Sequence, residues 1–109
     1  FSTWQLLSGL WMTDGWVCPV AQSKSLGTNS WEVGYCSVSE RLVRDIAELL
    51  HRFGIVARIG RKRMTYDGKP YLAWTIKVRE RAMVLEFFRR IHLVGPKGAR
   101  VSQALAELE

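Results

Sequence analysis

LSGLWMTDG, residues 7–15, is an apolar stretch of helical character that ends in one acid followed by glycine. A glycine inside a helix costs about 1 kcal/mol relative to alanine, so Gly9 predicts the close approach of a second helix. Asp14 falls at the C-terminal end, where the helix dipole disfavours an acid unless a cation lies nearby. We expect Gly15 to form a left-handed cap. An ordinary core helix that stops at Asp-Gly explains the same residues, so this stretch alone leaves both interpretations open.

The chain has the size and charge of a basic single domain. Its 109 residues are 48% apolar, which is enough for a hydrophobic core, and we expect one domain over residues 1–109. Sixteen Lys and Arg against ten Asp and Glu give a formal charge of +6, which favours a polyanionic partner such as nucleic acid. No apolar run is long enough to span a bilayer, and no secretory signal is present, so we expect a cytoplasmic protein with no membrane partner.

Sulfur and imidazole chemistry is not indicated. Cys18 and Cys36 lack the spacing of metal ligands and are expected to be reduced thiols. His51 and His92 are far apart in helical patterns, so we expect neither to be a ligand.

Hydrophobic periodicity predicts helices and strands in the order helix, two strands, helix, two strands, helix, helix. Ser39-Glu40-Arg41-Leu42 opens the clearest helix, and Asp67-Gly68 predicts a hairpin turn. The expected fold class is therefore α+β, with a four-stranded antiparallel sheet. The predicted helices are 2–13, 39–53, 80–91 and about ten residues after Gly95-Pro96-Lys97-Gly98, the strands are 16–22, 31–37, 55–63 and 71–79, and a loop covers 23–30.

An antiparallel sheet commonly packs one face on helices and leaves the other face free. Because side chains alternate along a strand, the last two strands present a basic free face interleaved with Tyr71 and Thr75, with Arg61 and Arg63 close by. Such a surface suits phosphates and base edges, whereas an ordinary solvated face is the alternative. The cations predicted on the free face are Arg58, Lys62, Lys77 and Arg79.

Leu7–Gly15 resembles the nine-residue signature of the LAGLIDADG, or DOD-type, homing endonucleases, and the predicted αββαββα order resembles one complete copy of that fold. Residues 34–39, 49–55 and 92–97 resemble the endonuclease domains carried within inteins. In that family, two signature helices pack side by side through small residues, and each brings one acid to a shared centre beneath saddle-shaped sheets. The resemblance therefore implies a saddle-shaped sheet with its helices on one face.

The resemblance also implies site-specific, metal-dependent cleavage of double-stranded DNA. It implies that Asp14 binds a divalent cation, normally Mg²⁺, and that Lys97 is catalytic, with Lys77 as the second candidate. The implied DNA contacts are Gln22, Lys24, Arg58, Lys62, Tyr71, Thr75, Lys77 and Arg79. The implied contacts with a second signature copy are Leu6, Gly9, Leu10 and Thr13.

Four features depart from that pattern. Met12 stands where many members carry a second acid, and Trp11 stands where a smaller aliphatic residue is usual. Only one signature copy is present, so a cleaving centre requires a homodimer or a second copy in a longer chain. Phe1 and the final Leu108-Glu109 lack splice-junction chemistry, so we expect a fragment of an intein that does not itself splice. A non-cleaving DNA-binding or degenerate domain and a module that contacts protein are the alternatives.

Overall fold

The computed structural model describes residues 2–20 and 30–108. Within these ranges the elements follow the predicted order: α1 (Thr3–Asp14), β1 (Gly15–Pro19), β2 (Trp31–Ser37), α2 (Glu40–His51), β3 (Arg58–Tyr66), β4 (Lys69–Val78), α3 (Arg81–Arg90) and α4 (Gly95–Leu108). The four strands form an antiparallel sheet in the order β1-β2-β4-β3. The α+β prediction is confirmed.

Three helices begin where a side-chain oxygen accepts hydrogen bonds from otherwise free backbone amides. Ser2 and Gln5 form a reciprocal capping box at α1, with bonds of 2.8 and 3.1 Å. Ser39 caps α2, and the carboxylate of Glu80 caps α3. Each such cap contributes about 1 kcal/mol, so these residues fix the helix starts close to their predicted positions.

Gly15 does not form the predicted left-handed cap. Its φ of −88° and ψ of 163° are extended, and it is the first residue of β1. A Cβ at this position would lie 2.5 Å from the indole of Trp11. Glycine is therefore required here because the chain passes tightly against a core side chain, and not because of backbone handedness.

The starts of α4 and β3 also differ from prediction, and the hairpin strands extend further towards the turn, to Tyr66 in β3 and from Lys69 in β4. Residues 95–98 form the first turn of α4 instead of a break before it, because Pro96 needs no backbone donor at a helix start. Residues 55–57 precede β3, where Ile55 is buried and donates its amide to the carbonyl of Leu50. The Asp67-Gly68 turn is as predicted, with φ of 53° and 76°.

The core lies between one face of the sheet and the helices. Val17 and Val33 of adjacent strands are at most 1% exposed and belong to the same buried cluster as apolar residues from all four described helices. Trp11 of α1 packs against Tyr35 of β2 and Phe87 of α3, with ring centroids 5.3 and 4.9 Å apart. This packing uses one face of the sheet and leaves the opposite face without a helical cover. Within the described ranges, no helix is long and apolar enough to cross a membrane.

Candidate functional site

We call the face of the sheet that lies opposite the buried core the open face. Strand register identifies its members, because directly paired residues point to the same side. Arg58 pairs with Lys77, Gly60 pairs with Thr75, and both pairs lie opposite the core residue Ile76. The other open-face positions on the paired strands are Trp16, Cys18, Glu32, Gly34, Cys36, Lys62, Met64, Tyr66, Lys69, Tyr71 and Ala73.

The predicted cations Arg58, Lys62 and Lys77 all lie on the open face. They line one groove with Thr75 and the edge of Trp16. All three are exposed, and none pairs with a carboxylate among the described residues. Uncompensated charge of this kind attracts a polyanion and makes the attraction sensitive to salt.

Arg61 and Arg63 point the other way. Arg61 pairs with Trp74 on the helix-covered side, and its guanidinium lies 5.7 Å from the Trp74 ring centre. Arg44 of α2 lies at the same distance from that ring. Both cations therefore contact the Trp74 ring, and Arg61, although close to the open-face cations in sequence, belongs to the opposite side of the sheet.

Apart from Arg79, which is described below with Glu32, the other predicted DNA contacts fall into three groups. Tyr71 is 36% exposed on the open face, and its hydroxyl donates to the sulfur of Met64 at 3.6 Å. Thr75 is only 7% exposed and forms part of the groove floor. Gln22 and Lys24 lie outside the described residues, so their role stays a prediction.

Asp14 ends α1 beside the open face. Its side chain is exposed and lines a depression together with the open-face residues Cys36 and Tyr71. Asp14 also lies near the core residue Tyr35 of β2: burial first, and then the charge of Asp14, raises the pKa of that phenol. The helix thus delivers one carboxylate to the side of the sheet that carries the cations.

Lys97 lies at the same end of α1. Its Nζ donates hydrogen bonds to the carbonyl oxygens of Trp11 and Met12, at 2.8 and 3.0 Å. The last turn of α1 holds no basic residue of its own, so α4 supplies the cation that the helix dipole requires beside Asp14. A lysine has three donors, and these bonds use two of them.

The stripe predicted to meet a second helix is open in this chain. Leu6 is 49% exposed, Thr13 is exposed, and Leu10 is half-buried. A Cβ built on Gly9 meets no described atom within 4 Å, so no described helix passes close to it. The core side of α1 instead uses Leu7, Ser8 and Trp11.

The described residues contain no group of three or more His, Cys, Asp and Glu side chains that could bind a metal ion. Asp14 is an exposed hard-oxygen ligand of the type that Mg²⁺ prefers. One carboxylate fits a Mg²⁺ site only if further oxygens come from another molecule. Since Mg²⁺ commonly uses one or two carboxylates together with water and phosphate oxygens, the donor set is compatible with an ion shared with DNA.

Glu32 was missed by the sequence reading. It lies on the basic open face but is only 7% exposed, and it accepts 2.7 Å and 2.6 Å bonds from Trp16 Nε1 and Arg79 Nε. Burial raises the pKa of Glu32, but the Trp16 and Arg79 hydrogen bonds and the nearby cations outweigh burial and bring the pKa below its ordinary value. The sequence signal for Glu32 is the two-residue period of β2, which places Glu32 on the same face as Gly34.

Comparison with known proteins identifies the family. A sequence model described as a LAGLIDADG-like domain matches residues 4–92. The chain belongs to this family. The LAGLIDADG-like domain is also 29% identical over 116 residues to Protein RecA of Mycobacterium bovis and of Mycobacterium tuberculosis, covering 94% of this chain. It spans only 13% of the length of those curated relatives.

Solved structures share the fold of this LAGLIDADG-like domain. The homing endonuclease I-CvuI in complex with its target, in the presence of calcium, has a TM-score of 0.71 and 14% identity, over 96% of this chain and 64% of that chain. The homing endonuclease I-TnaI has a TM-score of 0.65 and 16% identity, over 98% of this chain and 71% of that chain. The predicted homing-endonuclease fold is therefore confirmed.

Proposed function

We propose that this LAGLIDADG-like domain is a site-specific double-stranded DNA endonuclease domain in which Asp14 acts together with the acid of a second copy. The observation that carries the proposal is the position of Asp14, which ends α1 in a depression bounded by open-face residues. A carboxylate at this place gives the basic sheet a centre for phosphodiester chemistry.

DNA would lie across the open face. Arg58, Lys62 and Lys77 bring uncompensated positive charge to adjacent strands, and each contact with a phosphate releases counterions. A two-stranded β-ribbon, such as the β3–β4 hairpin, can enter the major groove, where the edges of the bases are read. I-CvuI, which shares the fold, is described in complex with its target, and this likeness supports the same use of the sheet here.

A second copy completes the site. The described residues offer Asp14 but no cluster of acids around it, and the stripe of α1 with Leu6 and Gly9 is open to another helix. Small residues on that stripe allow two helix backbones to approach closely. The copy comes from a homodimer or from another part of a longer polypeptide.

Mg²⁺ is the proposed cofactor. When bound, it would stabilise the negative charge that develops on the phosphodiester oxygens during hydrolysis. Asp14 would contribute an oxygen ligand, and the structure of I-CvuI with the I-CreI target in the presence of magnesium gives a parallel for the cation, although that DNA is described as not cleaved. Lys97 holds the last turn of α1 and retains one donor that can stabilise charge on a phosphate.

An intein is the proposed origin. A segment similar to this chain occupies 13% of proteins named RecA, which supports an endonuclease-like domain embedded in a longer host protein. Inteins carry endonuclease domains within host proteins in this way, as the resemblance in residues 34–39 and 49–55 implies.

A non-cleaving DNA-binding domain is the second candidate. It is favoured by Met12, which stands where many family members have a second acid, and by the single carboxylate at the site. Both candidates predict binding to duplex DNA, and only the first predicts cleavage that depends on Asp14.

Neighbouring residues of β3 provide a matched test of DNA binding. Lys62 pairs with Ala73 on the open face, whereas Arg63 pairs with Leu72 on the helix-covered side. We expect Lys62→Ala to weaken binding to a pool of randomised duplexes and to reduce its salt dependence by about one counterion. Arg63→Ala should leave both nearly unchanged. Equal effects from the two variants would show that the open face is not the DNA-binding surface.

A further inference from the structure

Arg79 is the open-face cation that is held by an acid. Its Nε lies 2.6 Å from Oε1 of Glu32, and its side chain remains 61% exposed. The terminal nitrogens of its guanidinium have no hydrogen-bond partner among the described residues, and the side chain lines a second cavity, which shares Arg58 and Lys77 with the open-face groove. The two terminal nitrogens of Arg79 are therefore free to donate hydrogen bonds, while Nε is held by Glu32.

The acid that holds Arg79 is itself fixed. The second oxygen of Glu32 accepts a 2.7 Å bond from Trp16 Nε1. The Trp16 ring lies against Gly34, where a Cβ would come within 2.1 Å of the indole. Since both oxygens of the carboxylate are bound and Glu32 is 7% exposed, the guanidinium is anchored to a rigid part of the sheet.

Arg79 differs from the neighbouring cations in that its charge is balanced by a carboxylate. The Glu32–Arg79 pair is neutral overall, so Arg79 adds little long-range attraction for phosphate, while Arg58 and Lys77 keep their full charge. A neutralised but oriented guanidinium is suited to bidentate hydrogen bonding, in which geometry matters more than net charge. In the major groove, the partner with two matching acceptors is guanine, through O6 and N7.

We infer that Arg79, positioned by Glu32, selects a guanine in the DNA that binds the open face; the inference rests on the proposed function. Glu32 is a positioning residue, and Arg79 is the specificity-determining residue. Glu32 precedes Cys36, which lines the Asp14 depression, by four residues of β2. At 3.3 Å per residue this is about 13 Å, which corresponds to roughly four base pairs from the site of chemistry.

Selection of bound sequences from a randomised duplex pool tests this inference. The wild-type protein should enrich guanine at one position of each half-site, and Arg79→Lys should reduce that preference by about 5- to 150-fold, with a small change in affinity for the unselected pool. Glu32→Gln should weaken the preference at the same position, and the double variant should be no worse than Arg79→Lys alone. Arg61→Lys, on the helix-covered side, is the matched control and should keep the wild-type profile.

Three outcomes would overturn the inference. An unchanged base profile in Arg79→Lys would show that the residue reads no base. An equal loss of affinity for all sequences would show that Arg79 contacts a phosphate instead, because lysine keeps the charge and loses only the planar fork of donors. Wild-type protein that retains no duplex would remove the proposed function and this inference together, whereas the first two outcomes leave the proposed function intact. Glu32→Gln changes a buried residue and can affect folding. Arg79→Lys changes an exposed side chain, so the inference can be tested with this variant alone.

Discussion

The ammonium nitrogen of Lys97 lies 2.8 Å from the carbonyl oxygen of Trp11, so a cation of α4 closes the last turn of α1. The same turn ends in Asp14. The end of the helix that carries Asp14, the proposed catalytic carboxylate, is thereby linked to Lys97, which lies 83 positions later in the sequence. The contact connects the fold with the site, because it satisfies carbonyl oxygens in the last turn of α1, which ends at Asp14.

Replacing Lys97 by methionine should destabilise the protein by about 1 kcal/mol, since the carbonyl oxygens of Trp11 and Met12 lose charged donors while the apolar stem is kept. Urea unfolding followed by circular dichroism measures the change. Lys69→Met is the matched control at the exposed start of β4 and should have little effect. Equal destabilisation by the two substitutions would contradict the capping role.

Gly9 should respond differently to alanine and to leucine. Because a Cβ at this helical position meets no described atom within 4 Å, Gly9→Ala should stabilise the monomer by about 0.5–1 kcal/mol. Gly9→Leu should instead weaken self-association, because its side chain would separate two closely packed helices. Sedimentation velocity over a range of concentrations measures association, and a Gly9→Leu variant that associates like the wild type would place the interface elsewhere.

The carboxylate of Glu32 predicts a pH effect on stability. Its pKa in the folded state lies below the ordinary value of 4.5, so its contribution is complete above about pH 4.5 and is lost as pH falls through the lower, folded-state pKa. The difference in unfolding free energy between wild type and Glu32→Gln should therefore be constant from pH 7 to pH 5 and should shrink towards pH 3. Glu48→Gln, in an exposed pair 3.9 Å long, should show a much smaller difference. A Glu32→Gln difference that stays constant down to pH 3 would contradict the assignment.

Local signals in the sequence were sufficient for most of the fold. Periodicity defined α2, and the Asp67-Gly68 pair defined the hairpin, because each depends on residues close together in the chain. Alternation also placed Arg58 and Lys77 on one face before their pairing was known. These elements need no knowledge of distant contacts.

Long-range contacts explain what the sequence did not reveal. The local sequence predicts a left-handed cap at Gly15, but glycine is required there because a Cβ would clash with the indole of Trp11. The burial of Glu32 depends on Trp16 from the neighbouring strand and on Arg79, which follows a third strand. No local pattern reports such an arrangement, because it requires the register of the sheet.

The most direct test of the central claim is Mg²⁺-dependent cleavage by wild type and Asp14→Asn on a library of plasmids carrying the duplexes that the wild type selects. Full-length protein, with its second copy present, should linearise a subset of these plasmids, while Asp14→Asn should bind them equally well and should cut at least about 100-fold more slowly. Asp67→Asn, a substitution of the same type at the hairpin turn, should cut like the wild type. Unchanged cleavage by Asp14→Asn would contradict the account.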